Sequence, residues 1–273
     1  MATFIQDVIR VGASKAIIIV FGLSTSIITA RYIGPEGNGT IAALLVYPSL
    51  FMSFGSLGIS QSATYFLGKG NYSEEQIKTA ITQIWMITTI IALIVCFILI
   101  RYFSNSGFDL LWASLALLPI PFTLFNQYNS GIFLGKNDIG AFNRINWIPS
   151  LVVLLGMVLF VIALKLGITG ALIAMILGPL FISLILLFKN EFLETFSLQF
   201  NWEIIKAMLS LGLVYAVALV IINLNYQVDI ILLDKLSTAF ELGLYSKGVG
   251  ITQCLWQIPL LFGPIVFARS ANN

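Results

Sequence analysis

The feature that most constrains the fold is a series of long apolar runs separated by short polar joints. A membrane-spanning helix needs about 20 predominantly apolar residues. The chain is 59% hydrophobic and only 10% charged, whereas soluble domains carry about 25% charged residues. The sequence therefore predicts an all-α integral membrane protein with about eight transmembrane helices. The predicted spans are Ala16–Ile33, Thr40–Leu67, Ala80–Ile100, Leu110–Leu134, Ile145–Leu166, Ile168–Phe188, Ala207–Leu233 and Leu244–Ala268.

The spans and polar joints divide the chain into four predicted parts. Residues 1–14 have apolar side chains at helical spacing with charged residues between them, which indicates an amphipathic segment lying in the membrane interface. Residues 15–188 hold the first six spans, and residues 189–206 form a cytoplasmic linker. Residues 207–273 hold the last two spans. Every connection is too short to hold a soluble catalytic domain.

Lysine and arginine predict the orientation of the spans, because cytoplasmic connections carry an excess of these residues. With a cytoplasmic N-terminus, nine of them lie at or near the inner side and five near the outer side. We therefore predict a multi-pass protein of the inner (cytoplasmic) membrane whose N-terminus is cytoplasmic. The inner set is Arg10, Lys15, Lys69, Lys78, Lys136, Arg144, Lys189, Lys206 and Arg269, and the outer set is Arg31, Arg101, Lys165, Lys235 and Lys247.

Composition excludes several functions. The chain has no histidine, which excludes a histidine-based metal site, proton relay or catalytic base. Its two cysteines, Cys96 and Cys254, lie inside apolar runs and make neither a metal cluster nor a disulfide framework. A net charge of +2, without a basic patch interleaved with aromatics, does not indicate nucleic-acid binding. We therefore predict no metal, no cofactor and no nucleic-acid partner.

Polar residues interrupt the seventh span. On a helix, Asn225 and Asp229 share one face, Asn223 shares another with Asp234, and a third face is wholly apolar and suits lipid. An ionisable residue within a span is by default a candidate for substrate or ion handling. Asn223, Asn225 and Asp229 are therefore candidate cavity residues. In the alternative interpretation, the two aspartates cap the helix end or pair with Lys235.

Two joints of the chain resemble each other. The first is RYIGPEGNG, from Arg31 to Gly39, and the second is KLSTAFELG, from Lys235 to Gly243. Each has an apolar helix, a cation, a tight turn and a glycine that opens the next helix. Because six spans separate the copies, they predict a parallel repeat about an axis normal to the bilayer, with the site between the halves. Alternatively, helix-turn-helix joints share such residues for generic reasons.

Several segments resemble those of the oligosaccharide and polysaccharide lipid flippases. ARYIGPEGNG (30–39) is similar to their first-loop motif, and GISQSATY (58–65) to the end of their second helix. DIILL (229–233), ELGLYS (241–246) and the stretch from Ile258 to Ser270 resemble parts of their seventh and eighth helices. These flippases belong to the multidrug/oligosaccharidyl-lipid/polysaccharide exporter superfamily.

The resemblance implies a non-enzymatic transporter that flips a polyprenyl-diphosphate-linked oligosaccharide by alternating access, for cell-surface polysaccharide biosynthesis. Members usually have two lobes of about six spans or more. The implied architecture is a six-helix N-lobe followed by the first two helices of an incomplete C-lobe, as in a truncated or split form. The implied partners are membrane lipid, the lipid-linked oligosaccharide, and either glycan-assembly membrane proteins or a separately encoded remainder of the C-lobe.

Cations are candidate ligands for the diphosphate that the resemblance implies, because phosphates form charge-assisted hydrogen bonds with arginine and lysine. Arg31, Lys235 and Lys247 are the best placed, near the outer ends of the first, seventh and eighth helices. Lys247 lies in a run that is otherwise uncharged as far as Arg269. The alternative for each is an interfacial residue whose charge snorkels to the membrane surface.

The fourth span supplies neutral polar groups. One of its sides carries amides and hydroxyls flanked by phenylalanines, a combination that suits sugar hydroxyls and ring faces. Asn126, Gln127 and Asn129 are therefore candidate substrate contacts. The alternative is that these side chains join helices through hydrogen bonds worth about 1 kcal/mol each. The polar side comprises Thr123, Asn126, Gln127, Asn129 and Ser130.

Three rival functions follow from the same residues. If Asp229 binds Na⁺ or a proton, the protein is a cation-coupled drug or metabolite exporter of the same fold. The sequence leaves open whether Asp229 couples an ion in this way or pairs with Lys247. A membrane glycosyltransferase or polysaccharide polymerase needs acid–base groups on sizeable outer loops, where Asp109 stands almost alone. The third rival is a non-transporting subunit that partners another membrane protein.

Overall fold

The computed structural model describes residues 2–104, 109–136, 147–189 and 200–260. These residues form helices joined by short turns, without any strand among them. The prediction of an all-α membrane protein is therefore confirmed. The helices are α1 (Ala2–Tyr32), α2 (Gly34–Gly55), α3 (Ile59–Lys69), α4 (Glu74–Phe103), α5 (Leu110–Leu117), α6 (Pro119–Gly135), α7 (Ile148–Met157, continued as a π-helix over Val158–Ala163), α8 (Gly167–Lys189), α9 (Trp202–Leu236) and α10 (Ala239–Leu260).

The helices correspond in order to the eight predicted spans, because α2 with α3, and α5 with α6, each make up one span. Five segments within the described residues are long and apolar enough to cross a membrane, and Ile148–Ala163 is apolar but shorter. The chain is thus a multi-pass membrane protein. The five segments are Ser14–Tyr32, Gly34–Lys69, Glu74–Phe103, Leu110–Gly135 and Gly167–Phe188.

The second span covers the predicted stretch Thr40–Leu67, but it is not one continuous helix. α2 ends at Gly55, and α3 begins at Ile59. Between them, Leu57 and Gly58 have left-handed backbones with φ of 43° and 59°. Glycine adopts this conformation without the steric cost of a Cβ atom, so Gly58 permits the break.

Proline divides the fourth span. The predicted helix over Leu110–Leu134 is two successive helices, because α6 starts at Pro119 directly after the turn at Leu118. The pyrrolidine ring lacks a backbone donor and clashes with the preceding turn, so proline favours the first turn of a helix over its interior. Pro119 therefore sets a helix boundary within this span.

The ends of the predicted parts differ from the helix ends. α1 begins at Ala2, so the segment predicted to lie in the interface is continuous with the first span. α9 begins at Trp202, after Asn201 caps it by accepting a hydrogen bond from the Ile204 N–H (3.4 Å). The rest of the predicted linker, residues 190–199, and the C-terminal residues 261–273 lie outside the described residues.

The last two helices lie against the first three. α9 packs on α2 and α3, and α10 packs on α2 and α1. The main apolar core lies among α2 to α6 and also takes in residues of α8 and the start of α9. Within it, the buried Tyr128 hydroxyl contacts the Gly55 carbonyl and the Thr88 hydroxyl. A smaller core, which includes Ile41 and Met157, joins α1 and α2 to α7 and α8. The helix α2 is therefore the element around which both groups of helices assemble.

Candidate functional site

The first turns of α2 and α10 make a close, reciprocal contact. A Cβ atom on Gly39 would overlap the backbone carbonyl of Ala239, and one on Gly243 would overlap that of Pro35. Helix backbones approach this closely only where the residues are small. The offset that pairs Gly39 with Gly243 also pairs Pro35 with Ala239, so the contact has the form that a two-fold relation produces. We refer to these four residues as the α2–α10 contact.

Lys247 connects α10 to α1 beside the α2–α10 contact. Its Nζ donates a hydrogen bond to the Thr29 hydroxyl (2.6 Å), which itself donates to the Ser26 carbonyl (3.0 Å). The Asn38 amide donates to the carbonyls of Thr29 (2.9 Å) and Gly34 (2.6 Å). Thr29 is only 1% exposed and Asn38 only 3%. A buried chain of hydrogen bonds therefore runs from α10 through α1 to the start of α2.

A second close approach joins α9 to the break between α2 and α3. A Cβ atom on Gly58 would overlap the carbonyl of Gly212, and one on Gly212 would overlap the carbonyl of Leu57. The buried Ser62 hydroxyl donates to the Met208 carbonyl (2.7 Å) across the same interface. The left-handed turn therefore serves to bring the backbone of α9 against the backbone of the first helices.

A cavity of about 400 Å³ lies between α9 and α10. Among its lining residues, which all belong to the described part of the chain, Asp229 alone is charged. One carboxylate oxygen of Asp229 accepts the Ile230 N–H (2.9 Å), and the other accepts the Tyr245 hydroxyl. The cavity thus presents a carboxylate among neutral polar groups. Its lining consists of Asn225, Asp229, Tyr245, Gly248, Val249, Thr252 and Gln253.

The predicted seventh-span candidates occupy different surroundings. Asn225 and Asp229 line the cavity together, whereas Asn223 is half-buried outside its lining. Part of the apolar side of α9 is exposed, as a lipid-facing side would be, whereas Ile231 on that side packs against the main apolar core. Among the described residues, Asp229 and Lys247 do not form an ion pair, because each bonds a different partner. The exposed apolar residues on this side are Val217, Ile221, Val228 and Leu232.

Arg31 and Lys235 lie in the last turns of α1 and α9 and are exposed. The Lys235 ammonium lies 4.8 Å from the centroid of the Phe103 ring, at the end of α4. Neither cation lines the cavity between α9 and α10. Of the three predicted cations, the structure therefore brings only Lys247 into a half-buried interhelical position.

Asn126 and Asn129, two of the predicted polar residues of α6, lie where α6 packs against neighbouring helices. The Asn126 amide donates to the Pro179 carbonyl on α8 (3.1 Å) and accepts the Ser183 hydroxyl (2.9 Å). Asn129 is fully buried and donates to the Phe125 carbonyl one turn before it (2.9 Å). In this structure Asn126 joins α6 to α8, as the helix-joining alternative describes.

We expect Asn126→Leu to lower the free energy of unfolding by about 1 kcal/mol, because it removes two interhelical hydrogen bonds. Gln127→Leu is the matched control. The buried Oε1 of Gln127 has no hydrogen-bond partner among the residues that the structure describes, so its removal is expected to be neutral or stabilising. Both effects are measured by unfolding in mixed micelles of SDS and maltoside detergent. Equal losses in the two variants would contradict the joining role of Asn126.

Sequence reasoning missed several residues of these contacts. Nothing in the sequence singles out Thr29 or Asn38. Thr29 gains its role from the packing of α10 on α1, and Asn38 gains its role from bonds to α1 and to the start of α2. Tyr245 belongs to the ELGLYS segment, but nothing in its spacing from Asp229 indicates a hydrogen bond across the α9–α10 turn. Thr252 and Gln253 lie about two turns further along α10, where the same face continues into the cavity.

Several solved structures share the fold of this chain. A structure named protein A matches with a TM-score of 0.71 at 19% identity, over 96% of this chain and 64% of its own. The MATE multidrug transporter DinF-BH matches with a TM-score of 0.65 at 19% identity and the same coverage. A MOP superfamily transporter from Pyrococcus furiosus gives 0.60 at 17% identity, over 96% and 61%. The chain therefore spans less than two thirds of the length of these structures.

The fold is that of the membrane transporters of the MOP superfamily, which includes the MATE exporters. No curated protein sequence matches the chain. Residues 4–267 match the family described as "Polysaccharide biosynthesis protein". The chain belongs to that family.

Proposed function

We propose that this protein flips a polyprenyl-diphosphate-linked oligosaccharide across the cytoplasmic membrane by alternating access, and that it performs no covalent chemistry. The family links the chain to polysaccharide biosynthesis, and the fold is that of membrane exporters. The family and the fold together support a membrane exporter connected with polysaccharide biosynthesis, without naming its substrate. The proposal therefore depends on one observation in the structure, the reciprocal α2–α10 contact.

The α2–α10 contact supports alternating access because it closes one end of the interface between the two repeat-related helix pairs. With a cytoplasmic N-terminus, α1 ends at the outer surface, so the contact lies at the outer side. Parallel repeats place their substrate at the interface of the halves. A carrier of this kind exposes its site inward while the outer contact is closed, and exposes it outward after the contact separates.

The matched structures are longer than this chain. We propose that further helices pack on α9 and α10 in the complete transport unit, whether they belong to a C-lobe remainder or to a glycan-assembly membrane protein. The cavity between α9 and α10 would then be covered on its open side. Membrane lipid and the lipid-linked oligosaccharide are the other proposed partners.

The proposal is tested with the full chain in proteoliposomes that contain a fluorescent lipid-linked oligosaccharide. Cys96 and Cys254 are replaced by alanine, and Glu36→Cys and Phe240→Cys are introduced at exposed positions beside the α2–α10 contact. We expect a reducible bifunctional thiol reagent to stop flipping, and a reductant to restore it. Each single-cysteine variant is the control and should keep flipping after treatment. A parent protein that leaves the lipid on its original leaflet would refute the proposal.

A second candidate is a cation-coupled exporter, which the cavity between α9 and α10 favours because its single charge is the carboxylate of Asp229. An intramembrane carboxylate is a candidate site for Na⁺, a proton or an organic cation. In this case the same vesicles would move an organic cation and not the lipid-linked oligosaccharide, and Asp229→Asn would abolish that flux. Retention of oligosaccharide flipping in Asp229→Asn would exclude the carboxylate from the first function.

A further inference from the structure

The cavity between α9 and α10 places polar side chains of two helices on one open surface. Asn225 and Asp229 lie one turn apart on α9, and Tyr245 and Thr252 lie two turns apart on one face of α10. Of these four, Asp229 is half-buried and the others are exposed. Both helices are predicted membrane spans, where polar groups in contact with lipid are costly. The cavity therefore suits a polar ligand better than acyl chains.

The size of the cavity favours an organic ligand over a bare ion. Its volume of about 400 Å³ lies within the range of about 300–1,000 Å³ that small-molecule sites occupy. A metal ion is instead enclosed by several ligand atoms that contact it directly. Within the described ranges, no three acidic or cysteine side chains are grouped so as to hold a metal ion. The cavity thus has room for a small molecule and a carboxylate to orient it.

Asp229 is positioned as an acceptor for hydroxyl groups. Its two carboxylate oxygens accept the Ile230 N–H (2.9 Å) and the Tyr245 hydroxyl. A carboxylate offers about four acceptor sites, so each oxygen retains one for a ligand. Hydrogen bonds to an ionised acceptor are about twice as strong as those between neutral groups. Two neighbouring hydroxyls of a ligand can therefore bind this carboxylate, one on each oxygen.

The rest of the lining suits a sugar ring. Asn225 and Gln253 carry amides that both donate and accept hydrogen bonds, and the Thr252 hydroxyl does the same. Sugar hydroxyls also donate and accept, so they match these groups in either direction. Val249 offers an apolar contact for the C–H groups of the ring, and Gly248 leaves space, because a Cβ atom there meets nothing within 4 Å. An organic cation would leave the donors of the amides and the hydroxyl without acceptors.

We propose that this cavity binds one uncharged sugar residue, with Asp229 accepting hydrogen bonds from two neighbouring hydroxyls. The assignment of that sugar to the lipid-linked oligosaccharide rests on the proposed function. The site then selects among glycans, because a residue that lacks the hydroxyl pair leaves the buried acceptors unpaired, which is the strongest basis of discrimination between similar ligands.

The test uses methyl glycosides of glucose, galactose, mannose and N-acetylglucosamine as probes, with the full chain in lipid nanodiscs. Cys96 and Cys254 are replaced by alanine, and Gly248→Cys places a thiol in the cavity, where a water-soluble maleimide labels it. We expect at least one glycoside to slow this labelling several-fold. A hydroxymethyl tetrahydropyran, which has the ring but no hydroxyl pair, should not. Gly22→Cys on α1 is the control site, because it is equally open but lies outside the cavity lining, and its labelling should not change.

Variants of the cavity identify the groups that bind the glycoside. Asp229→Leu should abolish the protection, whereas Asp229→Asn keeps one acceptor oxygen and should weaken glycoside affinity about tenfold. Ser246→Ala is the control on α10, because the Ser246 hydroxyl donates to the Gly243 carbonyl of its own helix (3.0 Å), and it should leave the protection unchanged. Labelling of each variant without glycoside checks that its cavity is retained.

Saturation-transfer NMR of the glycosides with the unmodified chain repeats the measurement without the reporter thiol. A parent protein that no glycoside protects, or protection that survives in Asp229→Leu, would overturn the inference. Stronger protection by the organic cation tetraphenylphosphonium than by any glycoside would also overturn it and would assign the cavity to a cation.

The outcomes distinguish this inference from the proposed function. If glycosides protect the cavity through Asp229 but the lipid-linked oligosaccharide is not flipped, the sugar site remains and the proposed function fails. If flipping occurs and no glycoside protects the cavity, the proposed function remains and the sugar site is wrong.

Discussion

Replacing Gly39 with alanine is expected to force α2 and α10 apart. The added Cβ atom would overlap the Ala239 carbonyl, and because both groups are attached to helix backbone, no side-chain rotation relieves the overlap. Overpacking costs about 1–3 kcal/mol, which outweighs the roughly 1 kcal/mol that alanine gains over glycine inside a helix. The free energy of unfolding should therefore fall. Spin labels attached to cysteines that replace Glu36 and Phe240 should move apart, as electron–electron resonance would measure.

Gly22→Ala is the matched control for this prediction. Gly22 also lies inside a helix, but a Cβ atom there meets nothing within 4 Å, so this variant should be neutral or more stable by up to about 1 kcal/mol. Gly243→Ala should resemble Gly39→Ala. The double variant should lose less than the sum of the two, because the first substitution already separates the helices. Equal stability of Gly39→Ala and Gly22→Ala would show that the helices are not in close contact.

The joints themselves explain why the repeat is visible in the sequence and the contact is not. Spacing pairs Gly39 with Gly243, since each follows a cation at the same distance along the chain. The sequence predicts that each glycine opens the next helix, but α2 begins at Gly34 and α10 at Ala239, so both glycines lie one turn or more inside. The contact, however, joins each glycine to the residue one turn before its counterpart, Ala239 or Pro35. That cross-pairing depends on how two helices cross in space, and no pattern along a single helix reports a crossing.

The charged residues of α9 and α10 show the same limit. The sequence leaves open a pairing of Asp229 with Lys247. In the structure, Asp229 accepts a hydrogen bond from Tyr245, and Lys247 donates one to Thr29. The physical reason lies in α10. Tyr245 and Lys247 are two residues apart, which places them about 200° apart around the helix. One faces the cavity and the other faces α1, so a single neighbour on α9 does not contact both.

Span positions were predictable because about 20 apolar residues are needed to cross a bilayer, and the described helices follow the predicted order. The break at Leu57 and Gly58 was not predictable from apolarity, since the run continues through it. Its cause is the close approach of Gly212, more than 150 residues later in the chain. The local sequence pattern indicates the helix propensity of a segment. The turn at Leu57 and Gly58, however, depends on contact with a backbone that is distant in the sequence.

Gly58→Ala is expected to have the other large effect on stability, because it meets two independent costs. Gly58 has a left-handed backbone with φ of 59°, where an L-residue loses about 1–2 kcal/mol. Its Cβ atom would also overlap the Gly212 carbonyl, which adds about 1–3 kcal/mol for overpacking. The variant should therefore lose about 2–5 kcal/mol of unfolding free energy, as measured in mixed micelles.

Gly70→Ala separates the two costs, because Gly70 has nearly the same backbone, with φ of 68°, and a Cβ atom there meets nothing within 4 Å. It should lose only the conformational share, about 1–2 kcal/mol. The difference between the variants then measures the approach of α9 to the turn between α2 and α3. Because α9 also carries Asp229, a loosened α9 should disturb the cavity as well, which hydrogen exchange of α9 amides would detect. If Gly58→Ala and Gly70→Ala lose the same stability, the approach of Gly212 contributes nothing and α9 is held by its other contacts alone.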